Sequence, residues 1–298
     1  IIYMRKIAIV GSGAVGSTLG ALLDRAREQV YLIARPDHVR AIKENRGLQI
    51  DGIKGTFKAR VQALETLDFK PDLVLLTVKT QDVASALESI REYIDGVPVL
   101  TMQNGIRSDE LAAGVIGRTH LMSAMLRITC TYLDPGKVIL IEQGGLVIGA
   151  PFPECTVDPK VFLDMLTKVM PTTVSSNISG VHWSKLLFNL NNALPAITGK
   201  EMQSIKDHPD MFRVVVRMMK EGLGVADSLN VRLEPIPESP VSLIKLLSLL
   251  PVGIAAQLTR IGYNKASRRL NGRPLYGSTL QSLKRGKPTE IDYLNGEI

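Results

Sequence analysis

A glycine-rich loop directly follows the first apolar segment, and this pairing constrains the fold more than any other feature. Residues 7–10 predict a buried strand, and Gly11, Gly13 and Gly16 then complete the pattern G-x-G-x-x-G before a predicted helix over 14–27. In this setting the glycines are typical of a dinucleotide-binding turn, with the diphosphate on the helix N-terminus. The residues expected to contact the cofactor there are Gly11, Ser12, Gly13, Ala14, Val15 and Gly16.

Strand and helix patterns alternate from Lys6 to about Met170, which predicts an α/β fold with a largely parallel sheet. The apolar runs are continuous rather than alternating, so both sheet faces are expected to be covered. Two further segments, 47–62 and 137–149, look like antiparallel hairpin strands that complete the edge of the sheet. The predicted parallel strands are 6–10, 29–33, 73–78 and 97–101.

Helical periodicity replaces strand patterns after the proline-rich stretch 151–159 and one more helix at 160–170. We therefore predict a Rossmann-type dinucleotide-binding domain over 4–174 and a mostly α-helical domain over 175–298. The segment 289–298 still looks helical where the sequence ends, so the natural chain is expected to extend further.

Composition narrows the classes of protein that fit. The net charge of +7 suits an anionic ligand, but the basic residues are dispersed, so no nucleic-acid partner is expected. Cys130 and Cys155 have neither metal-ligand spacing nor a disulfide framework, which predicts no metal and a cytoplasmic location. The most apolar stretch, 241–258, contains Lys245 and Pro251 and is expected to form buried core helices rather than a membrane span.

The residue after the second predicted strand bears on cofactor choice. NAD-dependent folds typically place an acidic residue there to bind the ribose 2′-hydroxyl, whereas this chain has Arg35. A guanidinium pairs with a 2′-phosphate, so NADP(H) is the predicted cofactor. Asp37 lies beyond Pro36 and past the strand end. The competing interpretation is that Arg35 is only a solvated loop charge.

Four further segments carry groups suited to nicotinamide chemistry. The first two follow predicted strands at their carboxyl ends, where open α/β sheets bind ligands. The third opens the helical domain, and the fourth lies near the end of the chain. They are Val78–Thr80, Gln103–Gly105, His182–Asn189 and Thr289–Asp292.

Together with the glycine loop, these segments resemble the ketopantoate reductase (2-dehydropantoate 2-reductase) family across essentially the whole chain. The resemblance implies NADPH-dependent reduction of ketopantoate, a small 2-oxo acid, to pantoate in coenzyme A biosynthesis, and it is compatible with a homodimer. It implies catalytic roles for Lys185, the proton donor, and for Glu290. It assigns substrate binding to Asn104, Lys185, Asn189 and Ser278, and further cofactor contacts to Lys79, Asn104, Ile128 and Glu290.

Elementary chemistry supports these roles independently. Reducing a 2-oxo acid requires a hydride donor and an acid for the carbonyl oxygen, and a lysine with an ordinary pKa of about 10.4 stays protonated at neutral pH. Lys185 and Asn189 are four residues apart on a predicted helix, so both face one side. Glu290 could hold the lysine while Ser278 binds the substrate. For each residue the alternative is a surface ion pair or helix cap; His182 as the acid is disfavoured because no aspartate can be placed beside it.

Two departures from the family pattern keep other functions open. Ala193 stands where the family often has a substrate-binding asparagine, and Gln203 stands near a further family asparagine. A related reductase of another branched 2-oxo acid therefore remains an alternative. So does an NADP-binding redox sensor, which would need the glycine loop and Arg35 but no proton donor.

Overall fold

The computed structural model describes residues 5–132, 134–236, 241–268 and 276–298, and the chain divides into two compact units, Ile1–Ser179 and Gly180–Ile298. Unit 1 combines a ten-stranded sheet with helices, so the predicted α/β class is confirmed. Its strands are β1 (Lys6–Val10), β2 (Gln29–Ile33), β3 (Leu48–Gly52), β4 (Phe57–Ala59), β5 (Gln62–Leu64), β6 (Leu73–Leu76), β7 (Val99–Thr101), β8 (Leu121–Thr131), β9 (Lys137–Gly149) and β10 (Thr172–Val174). Its helices are α1 (Ala14–Arg25), α2 (Pro36–Glu44), α3 (Val83–Glu88), α4 (Ser108–Ile116) and α5 (Lys160–Leu166), with short 3-10 helices at Thr80–Asp82 and Arg91–Tyr93.

The strand order places two loops together at the centre of the sheet. The order is β4-β3-β9-β8-β7-β6-β1-β2-β5, and β10 pairs with β9. The chain runs outward from β1 through β2 on one side, and β6 then pairs with β1 on the other side, in parallel. The loops after β1 and β6 therefore flank a topological switch point, which is the position where open α/β sheets bind ligands.

Alternate side chains of each central strand enter two separate hydrophobic cores. Ile7 and Ile9 of β1 pack in one core with Leu19 and Leu23 of α1. Ala8 and Val10 of β1 enter the other, which contains residues of α3 and α4. The prediction that both faces of the sheet are covered is confirmed, and the continuous apolar runs follow from it.

The predicted sheet edge is partly wrong. Segment 47–62 does form the antiparallel β3–β4 hairpin at one edge, but β9 lies in the interior, parallel to β3 and antiparallel to β8. Three strands were not predicted: β5, which pairs with β2 at the other edge, β8 and β10. The β8 sequence LMSAMLRITCT is poor in aromatic and β-branched residues over its first half, so burial between β7 and β9 rather than propensity makes it a strand.

Unit 2 contains helices and no strand among its described residues. The element α6 (Ile178–Asn189) enters it at Gly180. Gly222 lets α8 (Pro209–Ser228) approach α6, since a Cβ there would lie 2.6 Å from Leu187 Cδ2. The predicted final helix is instead two 3-10 helices. The remaining elements are α7 (Ala193–Thr198), α8 (Pro209–Ser228), α9 (Val241–Leu249), α10 (Val252–Arg268) and α11 (Ser278–Lys284), with 3-10 helices at Leu190–Asn192, Met202–Asp207, Ile291–Tyr293 and Asn295–Glu297.

The expectation that 241–258 forms buried core helices is right about the helices and wrong about full burial, because only one face of each helix is buried. α9 and α10 are amphipathic: Ala255 and Ala256 are buried, whereas large aliphatic side chains on the outer faces are about half exposed or more. Within each helix these outer residues recur every three or four positions, as one face of a helix requires. We call them the α9–α10 stripe: Leu243, Leu246, Leu249, Ile254, Leu258 and Ile261. Within the described residues, no helix combines the length and the apolar character needed to cross a bilayer.

Candidate active site

The three glycines of the loop after β1 meet different steric demands. Gly11 has φ +92° and passes so close to the loop after β6 that a Cβ would lie 2.3 Å from Val78 Cγ1. Gly16 brings α1 against the sheet, since a Cβ there would lie 2.4 Å from Thr77 Oγ1. At Gly13 a Cβ would meet nothing nearer than the Gly11 carbonyl oxygen at 4.0 Å. The first and third glycines therefore serve packing within the protein, and the second leaves its outer side open for a ligand.

The N-terminus of α1 offers backbone donors beside that open side. The first α-helical hydrogen bond runs from Ser17 N to Gly13 O, at 3.0 Å. The preceding N–H groups of Ala14, Val15 and Gly16 have no acceptor one turn earlier in the helix. No acidic residue lies in the first turn of α1. This arrangement fits a diphosphate, because the helix dipole and the N–H groups both favour an anion there.

Arg35 lies at the end of β2, where the sequence predicted the contact to the adenosine ribose. β2 ends at Ile33, and Arg35 is the exposed N-cap residue of α2. The glycine loop and this strand end are joined directly, because Gly11 N and Ser12 N both donate to Ile33 O at 3.1 Å. The guanidinium therefore projects from a turn that is tied to the diphosphate-binding loop.

The loops carrying Lys79 and Asn104 are held together at the same edge of the sheet. Gln103 donates through Nε2 to Leu76 O at 2.8 Å and to Val78 O at 3.1 Å. Thr80 Oγ1 donates to Asn104 O at 3.0 Å. Lys79 and Asn104 are both half-buried. The buried Gln103 thus has a structural role that explains the glutamine of the Gln-Asn-Gly sequence, and the ligand contact of its neighbour Asn104 stays a prediction.

Ile128 lies on β8, beyond the point where β7 ends. β7 pairs with Leu121–Ser123 of β8, so Ile128 extends past the carboxyl end of β7 and pairs with Gln143 of β9. A register irregularity between Leu126 and Ile128 interrupts the ladder there. Ile128 and Val15 pack against the same hydrophobic core. Its assignment as a cofactor contact remains a prediction.

Unit 2 carries the predicted proton donor and one substrate residue on the same helix. Trp183, Leu186 and Leu187 bury one face of α6 in the core. Lys185 is half-buried, and Asn189, one turn later, is 7% exposed. The spacing places the ammonium and the amide on one side of α6.

The other two predicted residues of unit 2 lie in segments that pack against the end of α6. Ser278 is the first residue of α11, and its neighbour Gly277 lies beside Asn192, whose Oδ1 would be 3.3 Å from a Cβ at Gly277. Glu290 is 8% exposed, and the segment after it is tied to the 3-10 helix that directly follows α6, because Asn295 Nδ2 donates to Leu190 O at 3.1 Å. Unit 2 therefore brings the segments of Lys185, Asn189, Ser278 and Glu290 together.

Sequence reasoning missed His38, which is 1% exposed and lies between the glycine loop and the turn before β9. Its Nε2 lies 2.9 Å from Ser17 Oγ, and Gly136 N donates to its Nδ1 at 2.9 Å. These partners are 21 and 98 residues away along the chain, so no local motif marks them. The available signal was the helical spacing of His38 with the buried residues Val39 and Ile42.

We expect His38 to make unit 1 less stable in acid. Burial lowers the pKa of His38 from 6.5 to about 4, and the nearby Asp37 carboxylate opposes this only weakly. Between these values the unfolded chain binds a proton that the folded chain does not, so the free energy of unfolding should fall by about 1.4 kcal/mol per pH unit as the pH drops from about 6 to 4. Above pH 6.5 this effect vanishes. Denaturant unfolding at several pH values should show the slope in the wild type and its absence in His38→Asn; parallel pH profiles would contradict it.

Comparison with protein families matches both units. The family model "Ketopantoate reductase PanE/ApbA" matches residues 7–151, and the model of its C-terminal region matches residues 177–298. The chain is 32% identical to a 2-dehydropantoate 2-reductase of Pyrococcus horikoshii, over 98% of this chain and 89% of the relative. It is 24% identical to the enzyme of that name from Archaeoglobus fulgidus, over 99% and 90%.

Solved structures show the same fold. The ketopantoate reductase of the PanE/ApbA family from Ralstonia eutropha superposes with a TM-score of 0.77 and 29% identity, covering 98% of this chain and 89% of that one. A D-mandelate dehydrogenase, solved with NADH and anilino(oxo)acetate, also has a TM-score of 0.77, at 22% identity and coverages of 98% and 90%. The second likeness is one of fold alone. By its matches along both units, the chain belongs to the ketopantoate reductase family of NAD(P)-dependent oxidoreductases.

Proposed function

We propose that this protein reduces 2-dehydropantoate (ketopantoate) to pantoate with NADPH, a step of pantothenate biosynthesis. The observation that carries the proposal is the shared face of Lys185 and Asn189 on α6, with the Glu290 segment tied to the end of the same helix. The name carried by relatives such as that of Pyrococcus horikoshii supports the substrate.

Unit 1 supplies the cofactor half of this machinery. The glycine loop and the first turn of α1 bind the diphosphate, Arg35 binds the 2′-phosphate, and Lys79, Asn104 and Ile128 complete the cofactor site. A bound NADPH supplies the hydride that the carbonyl carbon accepts. The steric fit of Gly13, whose outer side is open, is what a diphosphate against the backbone requires.

Unit 2 supplies the acid and the groups that hold the substrate. Lys185 donates a proton to the carbonyl oxygen as negative charge develops there, and its ammonium attracts the substrate carboxylate. Asn189 and Ser278 hydrogen-bond the substrate, and Asn104, a residue of unit 1, is assigned a further hydrogen bond to it. Glu290 is buried and acts as the anionic neighbour that holds Lys185, or a cofactor group, in place.

The direct test measures NADPH oxidation by its absorbance with a panel of 2-oxo acids. Ketopantoate should have the highest kcat/KM. A higher kcat/KM for another branched 2-oxo acid would favour the alternative function, a reductase of that acid. Ala193, which stands where the family often has a substrate-binding asparagine, is the reason for this alternative. Tight NADPH binding without turnover of any acid would contradict the enzymatic function.

We expect the preference for NADPH to depend on Arg35. Replacing Arg35 with alanine removes a charge-assisted contact to the 2′-phosphate worth about 1.5–3 kcal/mol, which corresponds to a loss of about 10- to 150-fold in NADPH affinity. NADH affinity should barely change. Isothermal titration with both cofactors measures this, and Arg40→Ala, an exposed arginine of α2, is the matched control. If Arg35→Ala weakened the binding of NADPH and NADH equally, the assignment of Arg35 to the 2′-phosphate would be wrong.

We further propose that two copies pair through the α9–α10 stripe. Six aliphatic side chains on the outer faces of α9 and α10 are each about half exposed or more, and large apolar patches are rarely left exposed by monomeric proteins. Homodimer interfaces have such apolar centres, and a standard interface needs about 800 Å² from each partner.

Sedimentation velocity should therefore find a wild-type dimer that Leu246→Glu or Leu258→Glu converts to a monomer. Leu229→Glu, at an exposed leucine just after α8 and outside the stripe, should leave the dimer intact. A monomeric wild type at micromolar concentration would contradict the pairing.

A further inference from the structure

The imidazole of His38 joins three separate segments of unit 1. Its Nδ1 accepts from Gly136 N in the turn before β9, and its Nε2 lies 2.9 Å from Ser17 Oγ on α1. The ring of Tyr132 packs edge-on against it, with the ring centroids 4.8 Å apart. His38 itself is in the first turn of α2 and is almost completely buried.

The hydrogen bonds around this ring have a fixed direction. Because Nδ1 accepts from a backbone N–H, the single proton of the neutral ring must be on Nε2. Nε2–H then donates to Ser17 Oγ, and Ser17 Oγ in turn donates to the Ser12 carbonyl oxygen at 3.0 Å. Burial keeps the ring neutral at neutral pH because it lowers the pKa of His38 to about 4. The chain Gly136–His38–Ser17–Ser12, which we call the His38 relay, is therefore complete at neutral pH.

The relay connects α2, through His38, with the glycine loop, through Ser12, and these two segments contain the two anion-binding parts of the proposed cofactor site. Ser12 is in the glycine loop, and its carbonyl orientation constrains the peptide that leads into Gly13. On the other side, the first turn of α2 begins at Arg35, whose carbonyl accepts from Val39 N at 3.0 Å. A buried ring that links these segments limits how far the Arg35 turn can shift against the loop.

We propose that His38 is a positioning residue that fixes the spacing between the diphosphate-binding loop and Arg35, and so contributes to selection of NADPH over NADH. The inference rests on the proposed function, since it requires Arg35 to bind the 2′-phosphate. A ligand that contacts both the glycine loop and Arg35 gains from this spacing, because no binding energy is spent on ordering the Arg35 turn. NADH lacks the 2′-phosphate and therefore depends on the glycine loop but not on Arg35.

Substitutions of His38 can separate the two arms of the relay. The amide nitrogen of glutamine reaches the position of Nε2 and can donate to Ser17, whereas asparagine offers an acceptor near the position of Nδ1 and leaves Ser17 without its donor. Ser17→Ala breaks the same arm from the other side. Val39→Ala is the matched control, because Val39 is a buried neighbour on α2 that takes no part in the relay.

Isothermal titration of the intact protein with NADPH and with NADH tests the proposal. We expect His38→Asn and Ser17→Ala to weaken NADPH binding by about 10-fold and NADH binding much less, with His38→Gln and Val39→Ala close to wild type. kcat at saturating NADPH should be unchanged. The double variant Ser17→Ala/His38→Asn should lose no more than either single variant, since both break one chain.

The proposal is overturned if NADPH and NADH weaken equally, if Val39→Ala weakens NADPH as much as His38→Asn, or if His38→Gln gives no rescue. A readout without cofactor separates this from failure of the proposed function. The ring of His38 should show a protonated Nε2 in ¹H–¹⁵N correlation spectra, with a signal that shifts in Ser17→Ala. If that signature is present but the wild type does not prefer NADPH, the relay stands as structure and the cofactor assignment fails; without the signature the relay itself is wrong.

Discussion

Replacing Lys185 with alanine is expected to lower kcat by about 10²- to 10⁴-fold, the usual effect of removing a positioned proton donor. The carbonyl oxygen of the substrate gains negative charge as the hydride arrives, and no other acid is proposed for it. Lys185 is half-buried on α6 beside buried Trp183 and Leu186, so the helix holds the aliphatic stem of this lysine in place. Steady-state assays with saturating NADPH and ketopantoate measure the loss.

Two controls separate catalysis from binding and folding. NADPH affinity should stay near the wild-type value in Lys185→Ala, because the proposed cofactor residues of the glycine loop and Arg35 are in unit 1. Lys200→Ala, an exposed lysine after α7, should keep wild-type turnover. Wild-type kcat in Lys185→Ala would remove this lysine from the mechanism, and an equal loss in Lys200→Ala would point to a general charge effect.

The parts of the fold that sequence predicted are those determined by local patterns. The turn at Gly11 and the close packing at Gly16 follow from steric rules that act over a few residues, and the structure contains both. The apolar runs of β1 and β6 predicted burial on both faces, which the two cores confirm. Such signals need no knowledge of distant partners.

The missed features depend on contacts between distant segments. β8 becomes a strand because β7 and β9 flank it, and β9 is interior because β3 pairs with its outer side. The outer faces of α9 and α10 carry exposed leucine and isoleucine side chains. Hydrophobicity along the sequence predicts that such residues are buried, and only the packing of the helices shows that they are not. The role of His38 could not be predicted either, because both of its hydrogen-bond partners are distant in sequence.

The candidate site shows the same division. The sequence could place Lys185 and Asn189 on one side of a helix because residues four positions apart lie on the same helical face. The neighbourhood of Ser278 was not, because only the fold of unit 2 reveals that Asn192 lies beside Gly277. We expect Asn192 to take the place of the asparagine that the family often has at the position of Ala193.

Asn192 is therefore expected to help this enzyme distinguish ketopantoate from 2-oxoisovalerate, which has the same two methyl groups on its branched carbon but lacks the hydroxymethyl group. Asn192 follows Lys185 by seven residues and Asn189 by three, so all three share one face of the α6 helix and its 3-10 extension. Its amide Oδ1 lies beside the N-terminus of α11, and Ser278 is the first residue of that helix. A site built to hydrogen-bond a hydroxyl rejects an analogue without it by as much as about 10⁴- to 10⁵-fold.

We expect wild-type kcat/KM for ketopantoate to exceed that for 2-oxoisovalerate by at least about 10²-fold, the lower bound reflecting Ala193. Asn192→Ala should reduce this ratio by about 10-fold through the ketopantoate value alone, since the analogue has no hydroxyl to lose. Ala193→Asn, which restores the family's residue, should raise the ratio. Equal kcat/KM for the two acids in the wild type would show that no group reads the hydroxyl, and the protein would then be a general reductase of branched 2-oxo acids.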